Sequence, residues 1–265
     1  MSRVDPYKIA AEQIYHEMTG NWASIDVKIS PSTAYAMAMP NNKKMYLHPL
    51  TLIGPEDLPK DLQVKGPEDP RLQSSEYFMR LKSFLARKFE IDPKKISNLR
   101  AIFDMHLRTW QRPHLIDRIK RFAIAHEMGH LFHQHLTRSW DRFFSFVFSI
   151  LITVLLLELL PIYLAIVLSI GVSDVSRRAF KALREYSEQY QEKEADYIAT
   201  KITKDFTAAK SFFKALDASY KFQWDSASWM EKLSRILFHT ESLFNISHPS
   251  PEARIQYLQA AHLKA

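Results

Sequence analysis

A topological demand constrains this chain more than any other feature. His126-Glu127-Met128-Gly129-His130 and Glu192-Lys193-Glu194-Ala195-Asp196 stand on opposite sides of an apolar block running from Phe143 to Val172. On a helix, His126 and His130 stack on one face within reach of a single tetrahedral metal ion, while Glu127 projects about 100° round the same helix. A zinc ion held by three protein groups keeps a fourth position for water and lowers that water's pKa to roughly 7, so a neighbouring carboxylate can take its proton. The first motif therefore supplies two ligands and a base, and the third ligand comes from elsewhere. Glu192 and Asp196, also four apart, share a helix face. One of them binds the metal, and the other accepts the free ring N–H of a ligand histidine and fixes its tautomer. Glu194 points away. The competing reading is a chance HExxH beside a solvated helix face, and the pairing of the two motifs argues against it.

If both motifs serve one ion, the block between them must return to the side it left. As one helix it would be about 45 Å long, more than the roughly 30 Å of a bilayer core. A single crossing would part the histidines from Glu192, and two full crossings need roughly 40 apolar residues. The solution is a hairpin bending near Glu158-Leu159-Leu160-Pro161, where a charge and a proline interrupt the run. It either dips into a membrane and returns or packs against protein. Arg138 and Arg142 precede the block and Arg177, Arg178 and Lys181 follow it, a charge pattern typical of cytoplasmic flanks. The expectation is a membrane-associated protein that meets lipid through residues 143–172, its catalytic domain facing the cytoplasm.

With 265 residues, 46% of them hydrophobic, the chain suffices for one domain over 1–265 carrying the 143–172 hairpin as an insert. No cysteine occurs, so disulfides and thiolate sites are excluded and Zn2+ must be held by histidine and carboxylate. The charge of +7 suits an anionic membrane surface, and no nucleic-acid motif is present. The N-terminus, MSRVDPYKIAAEQIYHEM, lacks the continuous apolar core of a secretion signal and reads as an amphipathic helix.

Asp5-Pro6 caps a helix ending at Gly20, and Ile25, Val27 and Ile29 alternate with polar residues as in a strand. Ala34 to Met39 and Lys44 to His48 flank Pro40-Asn41-Asn42 as a hairpin, with Lys43 and Lys44 as edge charges that discourage strand pairing. Gly54 to Arg71, rich in proline and charge, reads as an exposed loop. Helices are expected at Ser74 to Phe89, Asp92 to Trp110, Pro113 to Leu136 and beyond Arg177. The fold class is α+β and mostly helical, with a small N-terminal hairpin or sheet and an inserted hydrophobic helical hairpin; HEMGH with its downstream glutamate resembles a zinc metallopeptidase domain of the gluzincin type.

Three segments, FAIAHEMGHLFHQH, YQEKEADYIA and SHPSPEARIQYL, together resemble the HtpX-like and CAAX-prenyl-protease-like membrane zinc metallopeptidases. AYAMAMPNNKKMYLHPLTL is more weakly similar to that family's substrate-side hairpin. The resemblance implies His126, His130 and Glu192 as zinc ligands, Glu127 as base and Asp196 as support for a ligand histidine. It implies proteolysis of membrane-associated or misfolded proteins, although this chain lacks the N-terminal transmembrane helices of the membrane members and its central block is short. His248, in the His-Pro segment, then enters the cleft as an oxyanion donor or resting-state ligand. Its plainer reading is a loop residue before a helix capped by Ser250, with Arg254 packing structurally. His133 and His135 are not needed for coordination. The hairpin from Ala34 to His48 can take a polypeptide substrate as an added strand, so Ala34, Tyr35, Ala36 and, from the C-terminal segment, Arg254 are candidate substrate contacts. Two alternatives are a soluble ImmA-like regulatory metallopeptidase and a catalytically silent zinc-binding membrane adaptor. Glu127 argues against the adaptor, because a structural site has no use for a base.

Overall fold

The structure is a computed structural model that describes residues 4–33, 35–39, 43–132, 140–226, 228–230 and 249–262. The chain divides into two compact units: Met1–His135, Lys193–Phe244 and Ser250–Ala265 form the first, and Leu136–Glu192 with Asn245–Pro249 the second.

The first unit opens with α1 (Asp5–Thr19), which has Pro6 in its first turn and ends where Gly20 takes a left-handed φ of 72° and donates its N–H to His16. The strands β1 (Asp26–Ile29), β2 (Ala36–Met39) and β3 (Lys44–Leu47) follow, in sheet order β1-β3-β2. β3 is central, parallel to β1 and antiparallel to β2. Lys44 is thus no edge charge: it pairs with Asp26 on one side and Met39 on the other. The turn residues 40–42 lie outside the described residues. Alternation drives Met45 and Leu47 to full burial. They meet Ala11 and Ile14 of α1, Phe122, Ala125 and Met128 of α4 (Ile116–Phe132), and Phe213 of α7 (Phe206–Ser226).

A second cluster anchors the 54–71 loop, whose other residues are exposed or half-buried, through Leu58 and Leu62. Leu58, Leu62 and Leu72 are buried against α2 (Ser75–Phe89) and α3 (Leu99–Trp110), and the Tyr77 hydroxyl donates to the Leu62 carbonyl at 2.7 Å. Each leucine removed from water contributes roughly 1.5–3 kcal/mol. The helix expected from Asp92 is shorter. The Asp92 side chain caps a single 3-10 turn, Pro93–Lys95, and Asn98 at a φ of 51° breaks the chain before α3 starts at Leu99. α4 likewise begins at Ile116, after a 3-10 turn over Pro113–Leu115. The expected extension of this helix to Leu136, with His133 and His135, lies outside the described residues.

In the second unit, α5 (Trp140–Leu159) and α6 (Ile162–Thr203) are parted at Leu160 and Pro161, as the proline and Glu158 suggested. Phe148 meets Phe180 edge-on at 6.3 Å, and the Ser149 and Ser176 hydroxyls lie 3.5 Å apart, so the two helices pair as a hairpin. Many of its large apolar side chains are exposed, among them Phe146, Leu151, Leu159, Ile162, Val167 and Ile170. Among the described residues, no helix is long and apolar enough to cross a membrane. α6 runs on to Thr203, so the boundary between the units, at Glu192 and Lys193, falls inside an unbroken helix. After α7, α8 (Pro251–His262) closes the first unit against α7.

His48, at the end of the hairpin, and His106 beside it are both buried. His48 Nδ1 accepts the Leu50 N–H, and Nε2 of each ring has no partner. Burial pushes His48 down to about 3, and burial followed by the charges of His48 and Lys120 holds His106 well below the ordinary histidine range. A lowered pKa means that the unfolded chain binds the proton first. Stability is therefore full above about pH 6.5 and falls as pH drops toward 3, by up to about 1.4 kcal/mol per pH unit for each histidine. Urea unfolding of metal-free protein between about pH 4 and 6.5 should show this slope. His48→Asn, which keeps a cap acceptor, should reduce the slope by about 1.4 kcal/mol per pH unit. Equal slopes would show that His48 is not held neutral.

Candidate metal centre

α4 carries His126, Glu127 and His130, and α6 carries Glu192 and Asp196 four residues apart on one face. The two helices meet where neither has a bulky side chain. A Cβ placed on Gly129 would lie 3.0 Å from the Ala195 Cα and 3.3 Å from its Cβ, closer than side chains tolerate without a shift. The glycine of HEMGH and the alanine of EKEAD are thus the means by which the two motifs reach one another.

At that contact a nitrogen of His126, a nitrogen of His130 and a carboxylate oxygen of Glu192 lie within 4.8 Å of one another. The two histidine Nε2 atoms are 3.1 Å apart, with the rings nearly perpendicular. Two nitrogens on a tetrahedral ion at 2.0–2.1 Å would stand roughly 3.3 Å apart, so the imidazoles already converge as ligands do. Two nitrogens and one oxygen, without thiolate, fit zinc.

The tautomer is set from the far side of His126. Its Nδ1 lies 2.9 Å from Asp196 Oδ1, which leaves the Nε2 lone pair to face the cluster. Asp196 is fully buried. Arg254 of α8 donates Nε–H to its Oδ2 at 2.7 Å and a terminal N–H to Oδ1, and the Tyr257 hydroxyl donates to Oδ2. Burial alone would raise this carboxyl, but Arg254 and then His126 outweigh burial and hold it below the usual carboxylate range. The Arg254 guanidinium also lies over the Phe213 ring at 4.3 Å.

Glu127 faces the sheet. Its Oε2 accepts the Ala38 N–H at 2.6 Å. His48 N–H bonds the Tyr35 carbonyl, so alternation turns the backbone of Met37 and Met39 toward β3 and that of Ala36 and Ala38 outward. The base thus sits against the open edge of β2.

The structure brings together His126, Glu127, His130, Glu192 and Asp196 and buries the side chains of two expected substrate contacts, Arg254 and Tyr35. The Arg254 side chain is 7% exposed and committed to Asp196, a charge that would be costly to bury alone. Tyr35 is buried too, stacked on His106 at 4.7 Å, with burial raising its phenol far above the ordinary range. Only its carbonyl serves, anchoring the hairpin to His48 and Thr51. Ala36 keeps an outward backbone on the edge strand. Ala34 and His248 lie outside the described residues. Tyr257 and the Ala38 amide were not found from sequence. Tyr257 follows Arg254 by three residues and so shares its helix face, which was a usable signal. A backbone amide carries none.

Truncating one partner of a buried ion pair typically costs 3–5 kcal/mol because the other charge is stranded. Arg254→Met should destabilise the protein by about that amount, whereas Asp196→Asn/Arg254→Met should cost less than the sum of the single changes. Additive losses in chemical denaturation would show that the pair is not coupled.

The model of peptidase family M48 matches residues 117–262, from α4 to α8. No curated protein and no solved structure matches this chain.

Proposed function

The chain belongs to peptidase family M48, a family of metallopeptidases, and from that premise we propose that it is a membrane-associated zinc endopeptidase acting on membrane-bound or misfolded polypeptides. The observation that carries this reading is the convergence of His126, His130 and Glu192 with Glu127 beside them, bonded to an edge strand instead of to the ligand cluster. His126, His130 and Glu192 would hold the ion. A bound zinc supplies Lewis acidity for a water and for the substrate carbonyl. Glu127, with Oε2 engaged by Ala38, takes the water's proton at Oε1 as the water oxygen adds to the carbonyl carbon, and it returns that proton to the leaving amine. Asp196 keeps His126 in the tautomer that presents Nε2, and Arg254 and Tyr257 keep Asp196 ionised and in place. Substrate lies extended along β2. His248 we assign to the cleft, as oxyanion donor or resting-state ligand, on the likeness of the His-Pro segment. The ImmA-like alternative gains nothing from the M48 match.

The membrane part of the reading rests on the second unit, whose hairpin exposes apolar side chains on both helices and is followed in α6 by Arg177, Arg178 and Lys181. We assign residues 143–172 to a re-entrant contact with lipid, the catalytic unit facing the cytoplasm.

Glu127→Gln should keep zinc and lose about 10²- to 10⁴-fold in casein or peptide hydrolysis. Glu192→Ala should lose zinc where Glu194→Ala retains it. Activity of Glu127→Gln within tenfold of wild type would rule out general-base catalysis. Metal loss from Glu194→Ala in place of Glu192→Ala would overturn the ligand assignment.

The cysteine-free chain also permits a direct test of topology. Asp141→Cys and Asp174→Cys should both react with an impermeant thiol reagent from the cytoplasmic face, and Leu160→Cys should be shielded until detergent is added. Labelling of the two ends from opposite faces would contradict both the hairpin and the shared metal site. Release of the protein by alkaline carbonate, with Leu160→Cys shielded in a monomer, would remove the membrane and leave the peptidase.

A further inference from the structure

β2 exposes two large apolar side chains on one face. Met37 and Met39 are 37% and 39% exposed, on the face opposite the buried Ala38, and flank the one residue whose amide is bonded to Glu127. Their cross-strand partners are Tyr46 and Lys44, so the apolar face continues onto β3 at Tyr46 and is bounded by a cation at Lys44. An unbranched thioether adapts its shape to varied apolar partners, which suits a surface that must accept many sequences. Edge strands commonly carry lysine or proline to deter pairing, and the outer face of β2 has neither.

We propose that Met37 and Met39 determine substrate choice, selecting extended polypeptide with large apolar side chains at two positions spaced two apart. The inference rests on the peptidase reading above. In a strand added to the outer edge of β2, the residue opposite Ala38 shares Ala38's face and lies beside Glu127. Its two neighbours in the substrate share the face of Met37 and Met39. The residue presented to the base is therefore framed by two side chains that pack on thioethers, and on that face Lys44 lies one strand further on, beyond Met39, which disfavours lysine and arginine opposite Met39. Such alternating apolar stretches are buried in folded soluble proteins and become accessible when those proteins unfold. The preference thus gives a physical basis for acting on misfolded chains.

The test is a cleavage-site profile, read by mass spectrometry, of a peptide library and of denatured casein digested by the full-length zinc-loaded protein. Met37→Glu, Met39→Glu and the double variant are compared with wild type, and bound zinc and circular dichroism report that each variant is folded. Wild type should enrich leucine, isoleucine, phenylalanine and methionine about 5-fold at the two positions flanking the framed residue, the effect of one good cross-strand pair. Each glutamate variant should lose that enrichment at one position and gain lysine or arginine there. Cleavage by folded variants with the wild-type profile would overturn the proposal and leave the peptidase standing. If a glutamate variant fails to fold, Met37→Ala and Met39→Ala should flatten the same positions, and an unchanged profile in them would overturn it equally. Zinc-loaded wild type that cleaves nothing would overturn the peptidase reading and this inference together.

Discussion

The Asp196 carboxylate is the interaction on which the rest of the site depends. It is fully buried and receives donors from two other helices: His126 of α4, and Arg254 and Tyr257 of α8. A carboxylate removed from water without partners costs several kcal/mol, and Asp196 is tolerated because the guanidinium engages both oxygens and the hydroxyl and imidazole complete its shell. The consequence is geometric as well as energetic. A charge that satisfies three helices at once can sit in only one place, and that place dictates which nitrogen of His126 is free to bind metal.

Gly129 and Ala195 let this happen. Helix axes packed through large side chains stay 8–10 Å apart, and ligands on α4 and α6 would then miss one another. With small residues at the crossing, the two Nε2 atoms and the Glu192 carboxylate converge. The periodicity of HEMGH and EKEAD sets which residues share a face, and the small residues set how closely the faces meet.

Those motifs were legible in the chain because helix spacing is a local rule. His126, His130, Glu192 and Asp196 follow from four-residue separations, and the bend at Leu160-Pro161 follows from proline chemistry. Strand order was not legible. Nothing local tells β3 that β1 will arrive on its far side, so Lys44 looked like an edge charge and proved central. Within the 54–71 loop, tertiary packing buries Leu58 and Leu62, which the surrounding prolines and charges conceal. Arg254 reads from sequence either toward substrate or toward structural packing, because an arginine near a cleft has two uses, and in the structure the buried carboxylate beside it takes its side chain. Tyr35 divides likewise, its backbone belonging to the hairpin and its ring to the core.

Edge strands invite unwanted pairing, and proteins usually blunt them. β2 is four residues long, which limits that hazard, and of its outward amides Ala38's is bonded to the Glu127 carboxylate. The hydrogen bond works in both directions. It fixes the orientation of the base through a backbone atom that side-chain substitution at residue 38 does not remove, and it ties the strand to α4 at the point nearest the ligands. The small side chains of Ala36 and Ala38 allow the strand to lie close to the helix, and the methionines between and beyond them face away from it. One short strand therefore joins two requirements that a peptidase site must meet together, a base held at a fixed distance and a strand edge beside it.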